Sequence, residues 1–162
     1  MFAMNQEDIQ KATDRLRRLC SRREYCVSDV KKKALTALEG DSEAAGKVVA
    51  ILIAEKYVDD MRYATAYARE KAMISGWGET KIRYMLSGKR IDKDIISQAL
   101  TEIDETKAES RLEKLLENKA RSLKADPQIR FKLLRFALGR GYQYDDVVTV
   151  IDSLLHPHMD DQ

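Results

Sequence analysis

The chain has 162 residues, enough for one ordinary domain or for a few small units sharing a continuous core. Charged residues make up 35% and proline occurs only twice, a balance that favours long exposed helices, while no alternating run of β-branched and aromatic residues marks a sheet. No window reaches the roughly 20 apolar residues of a membrane span and no apolar targeting segment opens the chain, so the expectation is an all-α cytoplasmic protein with no membrane role.

The net charge of +2 hides an uneven distribution. Lys and Arg outnumber Asp and Glu by nine to six over 1–39, seven to four over 59–91 and ten to four over 107–141. The stretches 92–106 and 142–162 hold five acids each, against one Lys and no base. Such patterning suits an anionic partner better than it suits a uniformly adhesive surface.

The first expected helix runs from about Gln6 to Cys20 with Ile9, Ala12, Leu16 and Leu19 on one stripe. Ser28 is a candidate cap for the second, whose stripe is Val30, Ala34, Leu35 and Leu38 before Gly40. The third runs from about Ser42 to Lys56 with Ala45, Val48, Val49 and Leu52 inward. A second unit follows: a helix holding Arg62, Tyr63, Ala64, Tyr67 and Ala68, the turn Gly76-Trp77-Gly78, a helix with Ile82, Met85 and Leu86, and a third behind Asp92 with Ile95, Ile96, Ala99, Leu100 and Ile103. The last unit opens with a long helix from Glu105 to about Ser122; Asp126-Pro127 then reads as N-cap and first helical position. Ile129, Leu133, Phe136 and Ala137, the turn Gly139-Arg140-Gly141-Tyr142, and Val147, Val148, Ile151, Leu154 and Leu155 complete it.

The third helices of the units match in pattern, with 47 residues from Val48 to Ile95 and 52 from Ile95 to Val147. One unit is too small to bury its own seam, so neighbours must stack. The expected architecture is three tandem three-helix repeats, 1–56, 57–104 and 105–155, forming an elongated, curved helical-repeat protein with an acidic tail at 156–162.

With that organisation in view, the run Tyr57-Val58-Asp59-Asp60-Met61-Arg62-Tyr63-Ala64, followed by Tyr67, resembles the signature of the RecX family of recombinase regulators: glycine or aromatic, apolar, polar, Asp, any, Arg, aromatic, Ala. Gly76 before Lys81 and Ile82, then Leu86, then Lys89-Arg90-Ile91, and later Arg140-Gly141-Tyr142 with Tyr144 and Asp145, extend the resemblance over about Ala12 to Leu155. Two positions depart from the pattern. Arg90 stands where the family usually has Gly, which disfavours a left-handed turn there, and Met85 stands where Glu is common. The resemblance implies a non-enzymatic regulator that binds the RecA recombinase filament on DNA and restrains its activities, with a weak and unselective affinity for DNA itself. A stand-alone helix-turn-helix DNA-binding module is the alternative, although Asp92, Lys93 and Asp94 make a poor start for a recognition helix.

Basic helix faces can meet phosphates or acidic protein surfaces. The candidate contacts are Arg62, Lys81, Arg83, Lys89 and Arg90 in the second unit and Lys132, Arg135 and Arg140 in the third; for each, a solvated helix face is the plain alternative. Tyr63 and Tyr67 share the spacing of the seam and read as core, whereas Trp77, in a Gly-flanked turn, is the candidate functional aromatic. Cys20 and Cys26 fit no metal pattern and read as buried or half-buried thiols. His156 and His158 with Asp160 and Asp161 are a poor metal scaffold at a chain end. No catalytic motif, metal site or cofactor is expected, and a monomer is the simplest state.

Overall fold

The computed structural model describes residues 4–157, in which nine α-helices and no strand occur. They are α1 (Gln6–Arg22), α2 (Val27–Ala37), α3 (Ser42–Ala54), α4 (Asp60–Met73), α5 (Glu79–Gly88), α6 (Lys93–Thr101), α7 (Glu105–Ser122), α8 (Ile129–Gly139) and α9 (Tyr144–Leu155). The expected tail beyond Pro157, with His158, Asp160 and Asp161, lies outside the described residues.

The described residues form two compact units, one of residues up to Thr65 with Ser87–Ile96, the other of Ala66–Leu86 with Ser97 onward. These units do not follow the boundaries 57–104: each of α4, α5 and α6 has one end counted in each unit.

In the first unit α1, α2 and α3 close on Ile9, Leu16, Val30, Leu38, Val48 and Leu52, with Val58 added from the turn before α4. The helix residues among them sit at helical spacing on the stripes read from the sequence, each side chain contributing about 1.5–3 kcal/mol by leaving water. Asn5 and Asp8 form a reciprocal capping box on α1, and Asp41 caps α3 through the Ala44 N–H. Helix α2 differs. It begins at Val27 behind Cys26, two residues earlier than a Ser28 cap would place it, and has no side-chain cap of its own. Its Val27 N–H donates instead to Asp60 Oδ1 at 2.8 Å, and Ser28 Oγ donates to the Lys89 carbonyl at 2.7 Å. The short polar side chain read as a local cap is thus spent on a long-range contact.

In the second unit α7, α8 and α9 bury Leu112, Leu116, Leu133, Ala137, Val147 and Ile151 together. Helix α8 starts two residues later than Asp126-Pro127 suggested. Asp126 caps a preceding turn by accepting from the Gln128 N–H at 2.8 Å, and Gln128 holds the N-cap position without a side-chain bond. Met85, read as inward, is 41% exposed on α5, and Phe136 is only half-buried. Gly78 and Gly141 meet backbone to backbone. Gly78 N–H donates to the Arg140 carbonyl and Thr80 N–H to the Gly141 carbonyl, and a Cβ on either glycine would overlap the other strand of chain or Lys81.

Despite the Gly-to-Arg departure, Arg90 does adopt left-handed backbone, with φ of +58°. An L residue there carries roughly 1–2 kcal/mol of strain, so Arg90→Gly is expected to raise stability by about 0.5–1 kcal/mol in urea unfolding after the larger chain entropy of glycine is set against it.

Burial pushes the Asp60 carboxyl up against its hydrogen bond from Val27, and Asp59 and Asp29 add to the push. A carboxyl raised by folding weakens the fold as pH climbs through its range and has no such effect below the ordinary Asp value of about 3.9. Asp60→Asn keeps the acceptor and removes the charge, so it should be at least as stable as the parent at pH 7, with the difference closing as pH falls towards 4. Asp60→Ala orphans the Val27 N–H and should cost about 1–3 kcal/mol. Denaturant curves of both variants across pH 4–8 check the pair.

Candidate functional site

The nine nominated positions separate into two groups once their partners are known. Arg62 is tied down three ways: Nε donates to Glu24 at 2.8 Å, Nη1 to the Lys56 carbonyl at 3.1 Å and Nη2 to the Tyr57 carbonyl at 3.2 Å. Lys56 itself is left-handed, with φ of +63°, so Arg62 holds the turn that ends α3. Lys89 meets both oxygens of Asp29 at 3.0 and 3.3 Å. The Asp29 hydrogen bond raises the Lys89 pKa, while burial of Asp29 is outweighed by bonds from Cys26 and Lys89 that lower its own. Arg83 pairs with Glu79 at 2.9 Å and reaches Ser97, and Lys132 pairs with Asp126 at 2.6 Å.

A phosphate or a partner carboxylate would have to displace these internal acids. Exposed pairs are worth only about 0–1 kcal/mol, but that is also the scale of one screened phosphate contact, so the exchange gains little. The remaining nominated cations, Lys81, Arg90, Arg135 and Arg140, make no ion pair with a carboxylate among the described residues.

Two of these unpaired cations meet at the Gly76-Trp77-Gly78 turn in the second unit. Lys81 Nζ lies 4.3 Å from the Trp77 ring centroid, and Lys71 Nζ lies 4.8 Å from the same ring and 5.5 Å from that of Tyr67. Tyr67 and Trp77 are edge to face at 6.4 Å between centroids. Arg140 Nη1 donates to the Ser75 carbonyl at 3.1 Å and its guanidinium stands 5.2 Å from the Phe136 centroid, which Lys119 Nζ also approaches at 5.0 Å. Tyr142 fastens the turn by donating its hydroxyl to the Gly76 carbonyl at 3.0 Å; burial raises its pKa, so the phenol stays a neutral donor.

The local sequence accounts for this. Helix α4 ends at Met73, and the Trp77 N–H returns to the Lys71 carbonyl at 2.9 Å, which brings the indole beside the last turn it has just left. Left-handed Gly76 makes that reversal possible, with φ of +70°. Lys81 lies in the first turn of α5, close enough to Gly141 that only glycine fits. The result is a partly exposed basic and aromatic patch: four cations over the rings of Tyr67, Trp77 and Phe136, each contact worth about 0.5–1 kcal/mol. Lys71, Lys119 and Phe136 were not nominated from the sequence. The available signal was the spacing of Lys71 six residues before the single Trp, across a glycine turn.

Beside the patch is a cleft of about 290 Å³ lined by Trp77, Glu79, Ile82, Arg111, Leu112 and Tyr142 among others, with no His, Cys or Ser in its wall. Four carboxylates, Glu79, Glu105, Glu109 and Asp146, share the wall with the Tyr142 phenol and Arg111, so the cleft offers apolar contact and charge. Both thiols are raised by burial, Cys20 also by Glu24, and no three His, Cys, Asp or Glu residues gather as a metal site among the described residues. No helix among the described residues is long and apolar enough to cross a membrane.

Two family descriptions match this chain: the second three-helix domain of RecX over residues 59–100 and the third over 107–151. Regulatory protein RecX of Vibrio parahaemolyticus is 31% identical over 150 residues, 91% of this chain and 94% of that protein. Regulatory protein RecX of Clostridium tetani is 32% identical over 120 residues, 72% of this chain but 55% of its relative, so the chain spans about half the length of the clostridial relatives it matches. The crystal structure of RecX from Lactobacillus salivarius superposes with a TM-score of 0.81 at 25% identity, covering 93% of this chain and 98% of that one. With helices of this kind, the signature run at Tyr57–Ala64 and 31% identity over nearly the full length of the Vibrio protein, the chain belongs to the RecX family.

Proposed function

We propose that the chain is a non-catalytic cytoplasmic regulator that binds the RecA recombinase filament on DNA and restrains its ATP hydrolysis and strand exchange, and through them recombination and DNA repair. The observation that carries this reading is the patch of Lys71, Lys81, Lys119 and Arg140, cations without a carboxylate partner that are held on Trp77 and Phe136. Such a surface can follow a phosphate backbone, with an aromatic face available to bases or to a protein side chain. The name shared by its relatives, regulatory protein RecX, supports regulation over catalysis. The division into three three-helix repeats, the weak unselective affinity for DNA and the monomeric state belong to the same proposal.

The helix-turn-helix alternative draws little support. Helix α6 opens on exposed Asp92, Lys93 and Asp94, with the Asp92 carboxylate already accepting the Asp94 N–H at 2.8 Å. Two acids at the start of a helix repel the phosphates that a reading helix must approach.

The test is to mix the purified chain with recombinase filaments assembled on single-stranded DNA and to follow co-sedimentation and ATP turnover. Slowing at a stoichiometric ratio is expected; no slowing sinks the proposal. The double variant Lys71→Ala, Lys81→Ala should bind about tenfold more weakly, which corresponds to ~1.4 kcal/mol, and its affinity should depend less steeply on salt. Lys89→Ala, which breaks an internal pair, should change binding less than twofold while lowering the midpoint of thermal unfolding.

A further inference from the structure

The buried stripe of α8 is Leu133 and Ala137. On its opposite side Phe131 is 61% exposed and Leu138 39% exposed, seven residues apart, with exposed Arg135 between them. At 1.5 Å per residue the two apolar side chains stand about 10 Å apart along one face. Leu134 adds a half-buried flank that ties this face to the core. A phenylalanine left mostly in water beside an unpaired guanidinium has no structural reason in the described fold, and aromatic and arginine side chains are the ones that dominate protein interfaces.

The charges around the face select its occupant. Arg130 and Lys132, the other cations of α8, are held by Asp152 and Asp126, which leaves Arg135 as the unpaired cation of this helix among the described residues. A nucleic-acid backbone is held by several cations in a row, and this face offers one, set between two apolar side chains. A second copy of this chain is disfavoured as well, because an antiparallel pairing of two α8 faces about a two-fold axis brings Arg135 against its own symmetry mate. What remains is a protein segment with two apolar side chains about 10 Å apart and a carboxylate between them.

The geometry points to the Phe131, Arg135 and Leu138 face of α8 as a protein-docking surface for such an acidic and apolar segment; this rests on the regulator reading above, in which the segment belongs to a recombinase subunit. Phe131 and Leu138 supply the burial, and Arg135 supplies the charge-assisted hydrogen bond that fixes register. The surface is separate from the basic patch at Trp77 and would act with it, one holding protein and the other nucleic acid.

The probes are recombinase filaments on single-stranded DNA, the same oligonucleotide without recombinase, and the free chain on a sizing column with light scattering. Wild type, Phe131→Ala and Arg135→Glu are compared; both positions are exposed, and unchanged circular dichroism melting confirms intact folding. The expected result is at least a tenfold loss of filament co-sedimentation for each variant, with oligonucleotide affinity changed less than threefold and all three chains monomeric. Wild type that binds filaments no better than either variant overturns the inference alone. Wild type that fails to sediment with filaments sinks the regulator reading and this inference with it. Equal loss of affinity for the bare oligonucleotide assigns the face to nucleic acid, and a wild-type dimer that Phe131→Ala dissociates assigns it to a second copy; either outcome overturns a protein partner of the stated kind.

Discussion

The first unit depends on a hydrogen bond made across 33 positions of sequence, from the Val27 N–H to the Asp60 carboxylate. Helix α2 has no side-chain cap of its own, and its half-buried first N–H would otherwise lack a partner. The residue that supplies the cap also opens α4, so the start of one helix is fixed by the start of another. Two residues on, Arg62 clamps the Lys56 and Tyr57 carbonyls and Glu24. The Asp-any-Arg element of the signature run is therefore a latch: Asp60 faces back to α2 and Arg62 to the end of α3. Lys89 and Ser28 complete it, one by its pair with Asp29 and the other by its bond to the Lys89 carbonyl. The price of this arrangement is a carboxylate held in a setting that disfavours its charge.

This latch separates what could be read from the sequence from what could not. The apolar stripes were legible because burial imposes a period of 3.6 on α1 and α3, and the residues named from that period are the ones in the core. The glycine turns at Gly76 and Gly141 were legible for a similar reason, since local sterics decide them. Ser28 and Asp126 were misplaced as caps because a serine or aspartate beside a helix start satisfies the local rule whether or not its side chain is spent elsewhere. Their true partners, the Lys89 carbonyl and the Gln128 N–H with Lys132, are set by tertiary packing and by one extra turn.

The same limit governs the cations. Composition shows that 59–91 is basic, but a charge count cannot tell Arg62, already matched by Glu24, from Lys81, which is not. Pairing partners come from 38 and 60 residues away for Arg62 and Lys89. Lys71 escaped notice because nothing in its immediate neighbours sets it apart from other helical lysines; only the return of the chain at Gly76 brings it to the indole. Conversely, Asp60 and Arg62 of the signature run are internal fastenings, which leaves the turn at 75–78 and the outer face of α8 as the surfaces proposed for partners.

The indole at that turn has a practical consequence. Because the protein carries a single tryptophan, half-exposed and flanked by two ammonium groups within 5 Å, its emission comes from one defined place and one strongly polarised setting. Any anion that draws either lysine away changes the field across the ring, and any base or side chain laid on it changes its access to quenchers. The chain therefore holds an intrinsic optical probe of that turn, readable without labels and without altering a residue.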